Sequence, residues 1–252
     1  MTLKSSRKMI FVLMGILFLS ISSVYAETGE EYYNNGAAEV EAGNFTKAIS
    51  DFTKSIEIDP THAAVYDYRG FAYSKQGNLP EAISDFTKAI EINPNYAEAY
   101  SNRGSAYYEQ GNLPQAISDS SKAIEINPNY TSPYCNRGSA YADQGNLPQA
   151  ISDLTKAIEL NPNLAEAYKN RGNVYDKQGN LTLAISDFTK AIEINPNYAK
   201  AYYNRGNAYY KKKEYDKAQT DKLKAKSLGY DAIADNAKSI NAHLIGIDNR
   251  DK

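Results

Sequence analysis

Two rows of charged residues recur through the sequence at a fixed interval. Arg69, Arg103, Arg137, Arg171 and Arg205 are 34 residues apart, and Asp85, Asp119, Asp153, Asp187 and Asp221 each follow one of them by 16. An arginine fork matches a carboxylate in two parallel hydrogen bonds, so the paired rows suit a ladder of bidentate ion pairs between packed elements. A basic row alone could bind phosphate or carboxylate ligands, but a matching acidic row favours the structural ladder. Asp51 continues the acidic row upstream, where Asn35 stands in place of an arginine. A third row is Asn34, Tyr68, Asn102, Asn136, Asn170 and Asn204. Carboxamides donate and accept at once, so such a row can pair with an extended peptide backbone without reading its side chains. The same amides could instead pack one unit against the next, and the two uses are compatible.

Other chemistry has little to work with. His62 and His243 are isolated, so no metal-ligand cluster is expected. No nucleophile with a base partner, phosphate loop or cofactor motif is present, and the sequence points to a protein that is not an enzyme. Cys135 is the only cysteine; it is a free thiol, a site of intermolecular pairing, or simply a small residue at a tolerant position. Asn44-Phe45-Thr46, Asn129-Tyr130-Thr131 and Asn180-Leu181-Thr182 have the form of glycosylation acceptors, which the repeat itself generates at its caps. With 28 Lys+Arg against 30 Asp+Glu, the net charge of -2 provides no global field for nucleic acid. A chain that is 42% apolar and 23% charged is not a disordered, collagenous or disulfide-framework protein.

The elements that must position these rows follow from the punctuation. Pro60, Pro94, Pro128, Pro162 and Pro196 keep the same 34-residue step, as do Gly36, Gly70, Gly104, Gly138, Gly172 and Gly206, and a further set, Gly43, Gly77, Gly111, Gly145 and Gly179. Six units result, at 29–62, 63–96, 97–130, 131–164, 165–198 and 199–232. Each reads as two helices. In the second unit, Tyr66, Gly70 and Tyr73 share one face of a helix over roughly 64–76, and Ala82, Ile83, Phe86, Ala89 and Ile90 form a stripe over 79–92. Gly77 offers a left-handed exit, Asn78 a cap for the second helix, and Asn93-Pro94 a stop. No helix pair buries its apolar face alone, so stacking makes one continuous core.

Two segments lie outside the repeats. Residues 1–26 read as an export signal: Lys4, Arg7 and Lys8, then the apolar run 10–19, then Val24 and Ala26 for cleavage before Glu27. An uncleaved N-terminal membrane anchor is the alternative, although the stretch is short for a span. Cleavage leaves 25 basic and 30 acidic residues, an exported chain of net charge -5 that is periplasmic or secreted and has no stable membrane insertion. At the other end, Ile233, Ala237, Ile240, Leu244 and Ile247 fall at helical spacing, which suits a helix capping the last repeat, with a frayed tail to 252.

The order Tyr66, Gly70, Tyr73, Ala82, Phe86, Ala89, Pro94, kept nearly unchanged in the next three units, resembles the tetratricopeptide repeat. Tyrosine replaces the usual tryptophan throughout, Glu39 and Ser120 interrupt the pattern in the first and third units, and Lys213, Lys222 and Tyr230 do so in the sixth. The resemblance implies an all-α, right-handed superhelical solenoid without cofactors. It also implies a non-catalytic interaction scaffold whose partners are other proteins, bound as extended segments in a groove lined by the first helices. Neighbouring inner-face positions add a gradient, with Glu30, Glu41 and Asp67 early, and Lys169, Asn173, Lys177, Lys200, Tyr203, Asn207 and Lys211 late. A partner with a negative end late in the groove would suit that gradient. Lys169, Asn173, Asn204 and Lys238 match four of five positions of the family's carboxylate clamp, with Ala234 at the fifth. Self-association into a homo-oligomer through the sixth repeat and the tail helix is the alternative role.

Overall fold

The computed structural model describes residues 28–231. Within them lie twelve α-helices and no strand, two helices to each 34-residue unit. They are α1 (Gly29–Glu41) and α2 (Phe45–Ile58), α3 (Ala63–Lys75) and α4 (Leu79–Ile92), α5 (Ala97–Glu109) and α6 (Leu113–Ile126), α7 (Thr131–Asp143) and α8 (Leu147–Leu160), α9 (Ala165–Lys177) and α10 (Leu181–Ile194), and α11 (Ala199–Lys211) and α12 (Tyr215–Ser227). The fold is an all-α repeat solenoid. The leader at 1–26 and the expected tail helix, including Ala234 and Lys238, lie outside the described residues. No described helix is long and apolar enough to cross a membrane.

The helix ends follow local chemistry, with one correction. At the start of α1, Thr28 and Glu31 form a reciprocal capping box: the Thr28 hydroxyl accepts from the Glu31 amide at 3.1 Å, and the Thr28 amide donates to the Glu31 carboxylate at 2.7 Å. Gly77 leaves α3 at a φ of +81°, a conformation that costs glycine nothing. Lys213 occupies the matching turn of the sixth unit at φ 66°, where a side chain is strained. Asn78 sits at the N-cap of α4, yet its side chain makes no cap bond, and Asn112 and Asn146 behave alike. In those three units a proline in the first turn removes one of the amides that a cap would serve. Asn180, whose unit has Thr182 there, does accept from the Leu183 amide at 3.3 Å.

Within a repeat, the two helices meet at the small residues. A Cβ added to Gly70 would lie 2.8 Å from Phe86 Cε1, and one added to Gly172 would lie 2.7 Å from Phe188 Cε1, so only glycine admits the ring. The units that depart from the pattern fill this place differently. Leu154 packs there in the fourth unit, and Lys222 lays its aliphatic stem beside Gly206 in the sixth. In the third, Ser120 is fully buried and its hydroxyl has no hydrogen-bond partner.

Between repeats, the arginine row does the joining. Arg103 Nε and Nη2 donate to the two oxygens of Asp119, at 2.7 and 2.9 Å, while Nη1 donates to Thr87 Oγ1 at 3.0 Å. Asp119 lies on the second helix of the same unit, and Thr87 on the second helix of the unit before. The same three bonds recur at Arg69, Arg137, Arg171 and Arg205, with Thr53, Ser121, Thr155 and Thr189 as the preceding hydroxyls. The paired carboxylates are Asp85, Asp153, Asp187 and Asp221. Each rung therefore ties three helices across a repeat boundary. The first unit has no described helix before it to supply a hydroxyl; Asn35 is exposed there, and Lys54 lies 3.8 Å from Asp51 instead.

The contacts also set the curvature. Each first helix packs on the next first helix, α1 on α3 and so on to α9 on α11, whereas successive second helices do not pack comparably. The stack bends with the first helices inside.

Two outcomes follow. Arg137→Leu leaves Asp153 buried without its cation and should lower unfolding free energy by about 3 kcal/mol in urea titration, more than the double change Arg137→Leu/Asp153→Leu. Lys213→Gly relieves the positive-φ strain and should raise it by about 1 kcal/mol.

Candidate functional site: the inner face of the first helices

The inner face is a continuous strip of side chains from six successive first helices. The carboxamide row lies on it, and four of its five amides already donate to a neighbour. Asn102 Nδ2 donates to Asp67 Oδ1 at 3.0 Å, and Asn136 Nδ2 to the Ser101 carbonyl at 3.2 Å. Asn170 Nδ2 donates to Ser139 Oγ at 3.3 Å, and Asn204 Nδ2 to Asn173 Oδ1 at 2.7 Å. Every one of these bonds reaches back to the preceding first helix. The amide takes whichever of two neighbouring positions offers a strong acceptor: Asp67 and Ser101 at one, Ser139 and Asn173 at the other, where Cys135 and Lys169 take the first. These four amides therefore serve inter-repeat packing. Asn34, in the first unit, is exposed, and Tyr68 is 36% exposed.

The late end is less basic than its lysines suggest. Lys177 Nζ pairs with Asp143 at 2.9 Å, and Lys211 Nζ with Asp176 at 2.6 Å, each bridging to the preceding first helix. Lys169 lies over the Tyr198 ring at 6.0 Å. Tyr203 stacks on Tyr230 at 4.7 Å between ring centroids, and Asn207 is half-buried beside them on α11. Of the clamp-like residues, Asn173 and Asn204 bond to each other. Cys135 is free and buried, and burial pushes its thiol up to about 12, so little of the reactive thiolate forms near neutral pH.

The residue just before each first helix adds a wall that the sequence reading missed. His62, Tyr96, Tyr130, Leu164 and Tyr198 occupy that place, again 34 residues apart. Each sits at the N-cap of the next first helix, beside the inner face of its own unit. Tyr33 meets the His62 ring at 5.2 Å, and the Tyr96 and Tyr130 hydroxyls lie near Asp67 and Ser101. Their common spacing was the available signal.

The early end is where charge and aromatic surface coincide. Asp67 is 5% exposed; the neutral Asn102 amide donates to it, and the Tyr96 hydroxyl lies nearby. No lysine or arginine among the described residues pairs with it. Burial pushes its carboxyl up to about 6, and the nearby Glu98 carboxylate adds to the shift. Tyr33 and Tyr68 meet edge to face at 5.5 Å, and burial raises the Tyr33 hydroxyl pKa above its usual value.

A raised folded-state carboxyl makes the fold bind its proton more tightly than the unfolded chain does. The ionised group therefore costs stability above pH 6, and this cost fades as pH falls toward 4. Asp67→Asn should raise the thermal midpoint at pH 7.5, by the equivalent of about 2–3 kcal/mol at most, and lose that advantage near pH 4. Melting curves of both proteins across this range check it; Tyr96, Glu98, Tyr33, Tyr68 and His62 are the titratable groups around the site.

Comparison with known proteins places this architecture. A family profile described as TPR repeat matches residues 73–111, 104–145, 138–179 and 172–213, which together span more than half of the chain. Profiles described as tetratricopeptide repeat match 52–84, and 32–62 with 199–228. No curated protein sequence matches significantly. Among solved structures, MamA is similar at 31% identity and a TM-score of 0.56, covering 64% of this chain and 94% of its own. YrrB, described as a TPR protein with an unusual peptide-binding site, is 28% identical at a TM-score of 0.54, covering 75% of this chain and 97% of its own. TTC0263, a thermophilic TPR protein of Thermus thermophilus, shares the fold at 22% identity and a TM-score of 0.63, covering 73% of this chain and all of its own. From the repeated Gly contacts to the matches across its length, the chain belongs to the tetratricopeptide-repeat family of protein-interaction scaffolds.

Proposed function

We propose that the protein is a non-catalytic scaffold that holds an extended segment of a partner protein along the inner face of its first helices. The observation that carries this reading is the continuity of that face: first helices of all six units pack in succession, so side chains at equivalent positions line one strip. An extended peptide has a regular donor and acceptor repeat that such a strip can follow. The half-buried amides of Asn102, Asn136, Asn170 and Asn204 contribute through their carbonyl oxygens and remaining N–H, since one N–H of each holds the stack. YrrB, with its peptide-binding site, lends the reading support by similarity. The export signal expected at 1–26 suggests action in the bacterial envelope or exterior.

A second reading, self-assembly, is favoured by a different surface. Tyr210, Tyr215 and Leu223 are 59%, 56% and 60% exposed on the last repeat. Leu223 stands where earlier units carry the hydroxyl of the arginine rung, so the ladder ends there in an apolar edge. The amphipathic spacing at 233–247 suits a cover for that edge, and a second copy is the alternative.

Site-specific photocrosslinking distinguishes the two. A crosslinker at Tyr68 or Asn207 should trap a partner protein, while one at the outward-facing Glu125 should not. The groove reading fails if adducts form instead at Leu223 and join two copies of this chain, with light scattering reporting a dimer.

A further inference from the structure

We propose that the early end of the inner face, formed by Tyr33, Tyr68, Asp67, Tyr96 and Glu98, receives a lysine or arginine side chain of the bound segment. The inference rests on the groove-binding reading and specifies the chemistry of one place within it.

Charge complementarity is the first support. Two later carboxylates of this face take a cation from the chain itself: Asp143 has Lys177, and Asp176 has Lys211. Asp67 and Glu98 have none among the described residues. Asp67 is also the most buried of these groups, at 5% exposed, and its hydrogen bond comes from the Asn102 amide, with the Tyr96 hydroxyl nearby. Hydrogen bonds from neutral donors orient a carboxylate without cancelling its charge. In surroundings poor in water, the field of that charge extends into the groove with little screening. Glu98 is exposed and coupled to Asp67, so it can meet a cation directly while Asp67 acts through its field.

The second support is the aromatic surface. Tyr68 interrupts the carboxamide row, and its ring is 36% exposed where the other units place a smaller amide. It is braced by Tyr33 in an edge contact at 5.5 Å and by Phe52 at 6.0 Å. An accessible, fixed ring face beside uncompensated carboxylates attracts an ammonium or guanidinium group through its quadrupole and offers the aliphatic stem a surface. The chain uses such stacking internally, with Lys54 over Tyr32 and Lys75 over Phe71, each within 5 Å. An anionic group would meet repulsion here, so a bound segment is polarised by a basic side chain at the early end. The late lysines are less able to polarise it, since Lys177 and Lys211 are already paired.

The test uses the full-length protein and short fluorescein-labelled Ala/Ser peptides that carry a central arginine, lysine, norleucine or glutamate, read by fluorescence anisotropy. Arginine and lysine peptides should bind about tenfold more tightly than the norleucine peptide, with glutamate weakest. Asp67→Asn/Glu98→Gln should erase that discrimination, so that the arginine, lysine and norleucine peptides bind alike. Tyr68→Leu, at an exposed position outside the core, should reduce it and serves as the second variant if the double change does not fold. The inference is overturned if the arginine and norleucine peptides bind equally, in which case groove binding itself stands. It is also overturned if discrimination survives in the double variant. If none of the peptides binds, the groove reading falls and this inference with it.

Discussion

The stack depends on the arginine rung. Stacked helical hairpins present only nearest-neighbour surfaces, so something must fix how each unit sits on the one before. Here a single guanidinium spans the boundary, with one fork on its own second helix and the remaining amine on the hydroxyl of the previous second helix. The hydroxyls of Thr53, Thr87, Ser121 and Thr189 donate in turn to the carbonyl four residues back, which aims their lone pairs at the incoming arginine. Removing two charges from water is expensive, and such a pair is tolerable only when its hydrogen bonds are complete. The geometry fills both carboxylate oxygens and three of the five guanidinium N–H groups, five times over. The glycine contact sets the distance within a hairpin, and the rung sets the position between hairpins.

This division shapes the inner face. Because the rungs lie among the second helices, the first helices are left to settle against each other through smaller polar contacts. The carboxamides of Asn102, Asn136, Asn170 and Asn204 and the lysines Lys177 and Lys211 all reach back one unit to do so. A surface that would otherwise be free for recognition is thus partly committed to holding itself together. Among what remains uncommitted is the early group of Tyr68, Asp67 and Glu98. A buried carboxylate without a cation weakens the fold, and its retention there is easier to understand as a requirement of binding than of stability.

Much of this was legible because it repeats. Five copies of Arg and Asp at one offset announce a pairing, and Gly70 with Phe86 announces a close approach. The misread features have separate causes. The Asn78 cap bond is absent, and so is that of Asn44, whose helix has no proline in its first turn, so residue type at the N-cap does not by itself predict the bond. The late end is less basic than its lysines suggest because two acids pair with them. Asp143 stands at a position that is acidic in three units (Glu41, Glu109, Asp143) and lysine in three (Lys75, Lys177, Lys211), and Asp176 stands where no other unit carries an acid. The burial of Asp67 could not be read at all, since Ser101 and Cys135 at equivalent positions are neutral. The wall from His62 to Tyr198 is periodic and legible in the spacing alone.

The rung also bears on how such a chain changes length. Its three members come from two consecutive units and stand at the same places in each. Deleting or duplicating one internal block of 34 residues would therefore reconnect an arginine to an aspartate and a hydroxyl of the right kind. The stretches 110–119 and 144–153 are identical, Gln-Gly-Asn-Leu-Pro-Gln-Ala-Ile-Ser-Asp, and offer a register for such an exchange. Groove length in this protein is consequently a quantity that recombination can adjust in whole steps without a misfolded intermediate sequence, while the specialised ends, with Asn35 at one and Leu223 at the other, stay where they are.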